Sequence, residues 1–296
     1  VRVSVLGTMP EGLVCRPIER ADWQAVIECL QRGFPDRSHQ YWENALNRIE
    51  DRPVVGDFPR YGFILDHAGD IVGVMLTLYF RHAGAEGESI RCNLSSWTVD
   101  PDFRAYAGKL IMAALRHRDV TFLSVTPAPV TRRVVEALRF QRFADGQHAF
   151  LPILSHVHAR TRVVSVRPET PELNQLPSHE RRILLDHAAL GCDAMICITD
   201  GSVNPFVFKT RRVLRGLVPA SQVIYCRSHA DLSQCAGALG RYLLRKGMIF
   251  CLVDARAPVP GLIGRYFAEI GPKYFKGPSL PAPGDLAFTE FALFNE

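Results

Sequence analysis

The residues whose types and spacing could do chemistry run from Trp97 to Lys109: Trp97-Thr98-Val99-Asp100-Pro101-Asp102-Phe103-Arg104-Ala105-Tyr106-Ala107-Gly108-Lys109. A β-rich run ends at Asp100-Pro101-Asp102, and a helix is expected from about Phe103 to Arg116, with Asp102 able to cap it. Backbone N–H groups at a helix start lack helical partners and carry the positive end of the dipole, so they accept a pyrophosphate where side chains are small. Ala105, Ala107 and Gly108 keep that approach open, and Lys109 adds a charge. The competing reading is a helix start whose small residues serve packing alone.

Upstream, strand alternation puts Asn93, Ser95, Trp97 and Val99 on one face and Ser96 and Thr98 on the other. Tyr79 lies on the preceding strand and Tyr106 in the turn, two phenols near this region that could equally pack. Asp66 and Asp100 are carboxylates near strand ends, with turn or capping roles as the plain alternative.

The elements that must position these groups follow from periodicity. Leu13 to Ile18 reads as a strand, Ala21 to Gly33 and Ser38 to Ile49 as helices, and Tyr61 to Leu65 and Ile71 to Phe80 as strands joined by a turn at Asp66 to Asp70. Arg91 to Val99 is the next strand, Val120 to Val125 another, Thr131 to Phe140 a helix and Gln147 to Leu154 a strand. Three prolines in Arg160 to Pro177 suggest a linker, so the expected domains are 1–156 and 157–296. Beyond it come a helix at Ser178 to Leu190, strands at Cys192 to Thr199, Phe206 to Val213 and Gln222 to Arg227, and a helix at Asp231 to Lys246. A strand at Met248 to Val253, a helix at Gly261 to Ile270 and a strand at Ala287 to Phe294 complete the expectation.

One unit occurs twice. Ala107 to Val130 aligns without gaps onto Ala236 to Val259, 129 positions later, with 9 of 24 residues identical. Ordinary residue usage would give about 1 to 2. The second copy has Ser228-His229-Ala230-Asp231 where the first has its proline and arginine turn, and an acid at a helix start disfavours a pyrophosphate.

Composition narrows the class. With 296 residues and 47% hydrophobic side chains the chain can fill two modest cores, and the expected architecture is α/β: twisted, mostly antiparallel mixed sheets with helices on both faces. The opening VRVSVLGTMPEG lacks a signal-peptide pattern and no run is long enough to span a bilayer, so the expectation is a soluble, cytoplasmic protein. The eight cysteines sit mostly in apolar runs without CxxC spacing and read as buried thiols; His156 and His158 form the one tight histidine pair, and no metal site is expected. A net charge of +5, spread over Arg132-Arg133, Arg181-Arg182 and Arg211-Arg212-Arg215, suits solvated faces and argues against nucleic acid.

This element order resembles the GNAT acyltransferase superfamily, whose signature is a fourth strand, then (Q/R)-x-x-G-x-(G/A), then a helix. Val99, Pro101 and Arg104 stand where the family pattern has them, whereas Ala107 stands at the first glycine and Lys109 at the second small residue. The resemblance implies two tandem GNAT-like domains, the second degenerate. It implies acetyl-CoA or another acyl-CoA on Arg104, Ala105, Tyr106, Ala107, Gly108 and Lys109, with the thioester near the backbone of Trp97, Thr98 and Val99. The family's tyrosine after the fifth strand is replaced by Val135. Asn93 and Ser95, holding a water, and Tyr106 are then the catalytic candidates, and Tyr266, Glu269 and Tyr274 are acceptor-side candidates. The function implied is N-acyl transfer to a small-molecule or peptide amine. The alternatives are an aminoacyl-tRNA-dependent transferase and a silent CoA-binding sensor or scaffold.

Overall fold

The structure is a computed structural model and describes residues 10–84, 87–157, 160–213, 216 and 218–294. His158 and Arg215, named above, lie outside the described residues, as do residues 1–9. Packing divides the chain into two compact units, the first extending through Ser124 and the second covering Val125–Ala292.

The first unit is a sheet in the order β1 (Leu13–Pro17), β2 (Gly62–His67), β3 (Asp70–Gly84), β4 (Gly87–Val99) and β5 (Val120–Ser124). Neighbours are antiparallel except β4 and β5, which are parallel. The β2–β3 hairpin closes on Ala68-Gly69, both at positive φ (53° and 100°), and Asp66 accepts the Gly69 N–H at 2.8 Å. That is the primed turn whose twist suits two antiparallel strands.

α1 (Trp23–Gly33) buries Trp23, Val26, Ile27 and Leu30, one helical stripe, against β3 and β4. Ser38 caps α2 (His39–Glu50) by accepting the Tyr41 N–H. At the end of α1, a Cβ on Gly33 would fall 2.0 Å from Thr98 Oγ1, so the helix rests directly on β4. α3 (Gly108–Ala114) packs on β1, β2 and β3 from the other face, where the Cys15 thiol reaches the Lys109 carbonyl.

The second unit has the order β12 (Gly264–Lys276), β6 (Gln141–Phe150), β11 (Cys251–Ala255), β10 (Val218–Cys226), β9 (Ser202–Val213), β8 (Asp193–Thr199) and β7 (Arg162–Ser165). Here only β10 and β11 are parallel. The helices are α4 (Pro129–Ala137), α5 (Ser178–Ala189) and α6 (His229–Leu244), with a short α7 (Glu290–Leu293) at the end. Phe150, Phe206, Phe208, Val223, Leu239 and Val253 form its core under α6.

Several expectations need correction. The helix expected over Phe103 to Arg116 is a 3-10 turn, Pro101–Tyr106, followed by the seven-residue α3. The helix expected over Gly261 to Ile270 is strand: β12 pairs with β6, and Gly264 lies so close that a Cβ would sit 2.0 Å from the Ala149 carbonyl oxygen. A helical spacing of Leu262, Tyr266 and Ile270 yields there to an available strand edge. The final strand expected over Ala287 to Phe294 is instead α7, and the linker region contains β7. The packing units part at Ser124 and Val125, ahead of the 156/157 boundary expected from sequence, because β6 pairs with both β11 and β12.

Candidate functional site

Parallel pairing of β4 with β5 covers only Ile90 to Asn93 against Val120 to Leu123, although β4 continues to Val99. From Leu94 onward this edge has no strand partner in the first unit, so a wedge opens between the two strands. On the other edge β4 is bulged. Val74 faces Thr98 and Leu76 faces Ser95, so Met75 alone opposes Ser96 and Trp97, and Ser96 sits at φ 49°. A non-glycine residue in that region is strained and is held by its surroundings.

The bulge overturns the expected alternation. Thr98 shares the Ser95 and Asn93 face, toward Gly33 of α1, and Val99 lies on the opposite one. Of the candidates, Asn93 stands out. Its side chain is fully buried at the mouth of the wedge, yet neither Oδ1 nor Nδ2 has a hydrogen-bond partner. Such a group costs about 1–3 kcal/mol of desolvation per orphaned atom, which is why native structures hold few of them. Trp97 Nε1 is similarly buried without a partner. Ser95 Oγ lies 3.1 Å from Ser96 Oγ.

The carboxylates are used structurally. Asp100 is held by Arg32 through two bonds of 3.1 and 2.8 Å, which raise the Arg32 pKa and tie the end of α1 to the end of β4. Asp66 accepts two bonds from Arg16 as well as the turn N–H. Tyr79 is buried, stacked on Phe58 at 4.5 Å, and burial drives its pKa upward. Its pair on β4 is Cys92, so it belongs to the face away from Asn93.

In the turn, Arg104 and Ala105 are exposed and Tyr106 half-buried. The Ala107 N–H bonds Arg104 O and the Leu110 N–H bonds Ala107 O. No side chain caps α3, and a Cβ on Gly108 would meet nothing within 4 Å. The turn is therefore open to approach, while one amide of the expected anion cradle, that of Ala107, already serves the 3-10 geometry. Lys109 lines a groove beside β1.

The second unit repeats the frame. Parallel pairing of β10 with β11 ends at Gln222 against Leu252, which are Asn93 and Leu123 advanced by 129 positions, and β10 is bulged just beyond, between Val223 and Tyr225. Here the wedge is filled by protein. Gln222 Oε1 accepts from Gln147 Nε2 at 3.2 Å and its own Nε2 donates to Val223 O. Gln147 also donates to Asp254 at 2.9 Å, and Lys273 pairs with Asp254 at 3.5 Å with both side chains buried. Burial lowers the Lys273 pKa against the pull of Asp254.

The helix start is closed too. Ser228 accepts the Asp231 N–H at 3.1 Å, and Asp231 occupies the first turn of α6. Gly237, the counterpart of Gly108, would place a Cβ 2.5 Å from the carbonyl oxygens of Ser155 and His156. Sequence reasoning missed the 93/222 correspondence. The signal was available, since both positions carry a carboxamide at the offset of the repeat.

Other candidates have local partners. Val135 is buried. The Tyr274 hydroxyl donates to Glu136 at 2.7 Å, Glu269 accepts from Arg142 at 2.6 Å and the Tyr266 hydroxyl donates to Arg256 O at 3.1 Å. Arg181 donates to Leu173 O and Arg182 pairs with Asp186. No helix among the described residues is long and apolar enough to cross a membrane.

No protein-family model matches the sequence, and no curated protein matches it. Solved structures do match. A GCN5-related N-acetyltransferase from Anabaena variabilis superposes with TM-score 0.59 at 11% identity, over 89% of this chain and 72% of that one. One from Kribbella flavida gives 0.56 at 12% identity over 89% and 70%, respectively. A Pyrococcus horikoshii protein assigned as an acetyltransferase gives 0.56 at 10% identity over the whole of both chains, 100% and 100%. At these identities the likeness concerns architecture: this chain has the fold of the GCN5-related N-acetyltransferases.

Proposed function

We propose that the protein is an acyl-CoA-dependent N-acyltransferase, built as two tandem copies of this fold, in which the first unit holds the cofactor. The observation that carries the reading is the pair Asn93 and Gln222. At one register position of two like wedges, the second unit satisfies its carboxamide from the Gln147 side chain and the Val223 carbonyl, and the first leaves both atoms of Asn93 unpartnered among the described residues. A buried amide without a protein partner, beside an open strand edge, fits a ligand that brings a donor and an acceptor. Gly108, with free space at its Cβ, fits close approach of a phosphate-bearing ligand to the backbone.

Acyl-coenzyme A, when bound, supplies an activated thioester, acetyl being the smallest case. The part of β4 beyond its pairing with β5, from Leu94 to Val99, would offer backbone N–H groups to hold an extended ligand and polarise a carbonyl. In the transfer, the amine nitrogen bonds to the acyl carbon as the carbon–sulfur bond breaks, the amine proton leaves to water and the thiolate takes up a proton. Asn93 and Ser95 would position that water, since Asp66 and Asp100 are committed to arginines. Trp97, Thr98, Val99, Arg104, Ala105, Ala107 and Lys109 would line the cofactor's path, and Tyr106 is the nearest phenol in sequence for the leaving thiolate. The acceptor would be a small-molecule or peptide amine.

Val135, buried where relatives are expected to carry an acid, favours a second reading: binding of coenzyme A without turnover. Thermal stabilisation by acetyl-CoA and by free coenzyme A, followed by thiol release with a panel of amines, separates the two. Stabilisation with thiol release supports the transferase, and stabilisation alone supports the sensor. No shift with any coenzyme A species sinks both, and a shift with RNA alone would favour the aminoacyl-tRNA reading.

A further inference from the structure

A groove of about 480 Å³ runs along α3 on its β1 side, and Gly108 and Lys109 of the turn line it together with residues of β1. Leu13, Ala113 and the half-buried Cys15 contribute apolar floor, and Met112 is 54% exposed on the wall. Exposed methionine is soft and adapts to varied apolar shapes. Lys109 and Arg116 stand at the rim, about two helical turns apart, and neither side chain has a hydrogen bond or ion pair among the described residues. Both lie close enough to Cys15 to favour its thiolate, although burial outweighs them and raises the thiol.

The adjoining strand edge excludes one class of occupant. Ile18 bonds Gly62 and Ala68 bonds Gly12, so the even-numbered residues of β1 face β2 and the odd-numbered ones face outward. Of those, the Leu13 N–H is taken by Pro10 O and Pro17 has no N–H, leaving only Cys15 to donate. An added β-strand would find almost no ladder here. An apolar trough with paired cations and no usable edge complements a small amphiphile with an anionic head.

We propose that this groove binds a carboxylate carrying a medium-length alkyl chain, the chain along Leu13, Met112 and Ala113 and the head between Lys109 and Arg116. The test is calorimetric titration of the full chain with decanoate, repeated with decanol, inorganic phosphate and an acidic peptide, and with the variants Arg116→Glu and Met112→Asp. The expected result is one saturable decanoate site, weakened at least about tenfold by either variant at unchanged melting temperature, with decanol and phosphate weaker. Non-saturable uptake, equal binding by the variants, or tighter binding of the peptide would each overturn it.

Discussion

Two wedges in this molecule share a frame and differ in what fills them. In the first unit, β4 and β5 part after Asn93 and Leu123; in the second, β10 and β11 part after Gln222 and Leu252. Gln222 is locked by Gln147 and the Val223 carbonyl, with Asp254 and Lys273 behind it, whereas the Asn93 side chain has no hydrogen-bond partner among the described residues. Gly237 is pressed against carbonyl oxygens and Gly108 faces open space. The second unit closes its wedge with its own groups, and the first leaves a buried carboxamide without a partner among the described residues. The same residue type therefore has opposite meaning in the two copies, and substitutions should separate them.

The largest effect is expected at the plug. Removing one member of the buried pair, by Lys273→Met or Asp254→Leu, should cost about 3–5 kcal/mol, because the remaining charge is buried alone. The double variant should recover most of that loss in urea unfolding. If either single variant is as stable as the parent, the pair is not the filling it is taken to be.

Next come the carboxamides, with opposite signs. Gln222→Leu should destabilise by about 1–3 kcal/mol, since Gln147 then loses a partner. Asn93→Leu should leave stability unchanged or raise it, by up to about 2 kcal/mol, and lower turnover roughly 10²-fold or more. Equal destabilisation by both, with coenzyme A binding intact, would remove the basis for assigning the site to the first unit.

The glycines give a similar contrast at smaller scale. Gly237→Ala should cost about 1–3 kcal/mol, because backbone oxygens at 2.5 Å cannot move aside. Gly108→Ala should be neutral or stabilise by about 0.5–1 kcal/mol as a better helix former, while weakening coenzyme A binding. A Gly108→Ala protein that binds coenzyme A as tightly as the parent would argue against close backbone approach there.

The smallest effect concerns pH and the second unit. Burial lowers the pKa of His148 and of His229, which accept a bond from Val259 N–H and share one with Asp254 O, respectively. Both are then neutral when folded, and below about pH 6.5 the unfolded chain takes up protons first. Stability should be full above that pH and fall as pH drops below it. Melting temperatures between pH 8 and 5.5 should show the decline, and the double variant His148→Gln with His229→Gln should flatten it; an unchanged slope would place the titration elsewhere.

Much of the frame was legible from local pattern. Alternation in Ile71 to Phe80, the Asp66 to Asp70 turn, the stripe Trp23, Val26, Ile27 and Leu30, and the repeat at offset 129 all act over a few residues or by direct comparison. Gly261 to Ile270 misled because its helical spacing is real but weaker than pairing with β6, more than a hundred residues earlier. The bulge at Ser96 was likewise invisible, and it moved Val99 to the opposite face.

By itself the sequence determined most elements of the first unit, the internal repeat at offset 129 and the small-residue turn, because these depend on side-chain type and period. Only the tertiary structure decided which carboxamide is satisfied and which is not. That depends on Gln147 reaching Gln222 across 75 residues and Lys273 reaching Asp254, contacts that no local pattern encodes. The sequence spread its candidates from Asn93 along the strand and through the turn to Lys109; among them packing singles out Asn93, whose side chain is buried without a hydrogen-bond partner among the described residues.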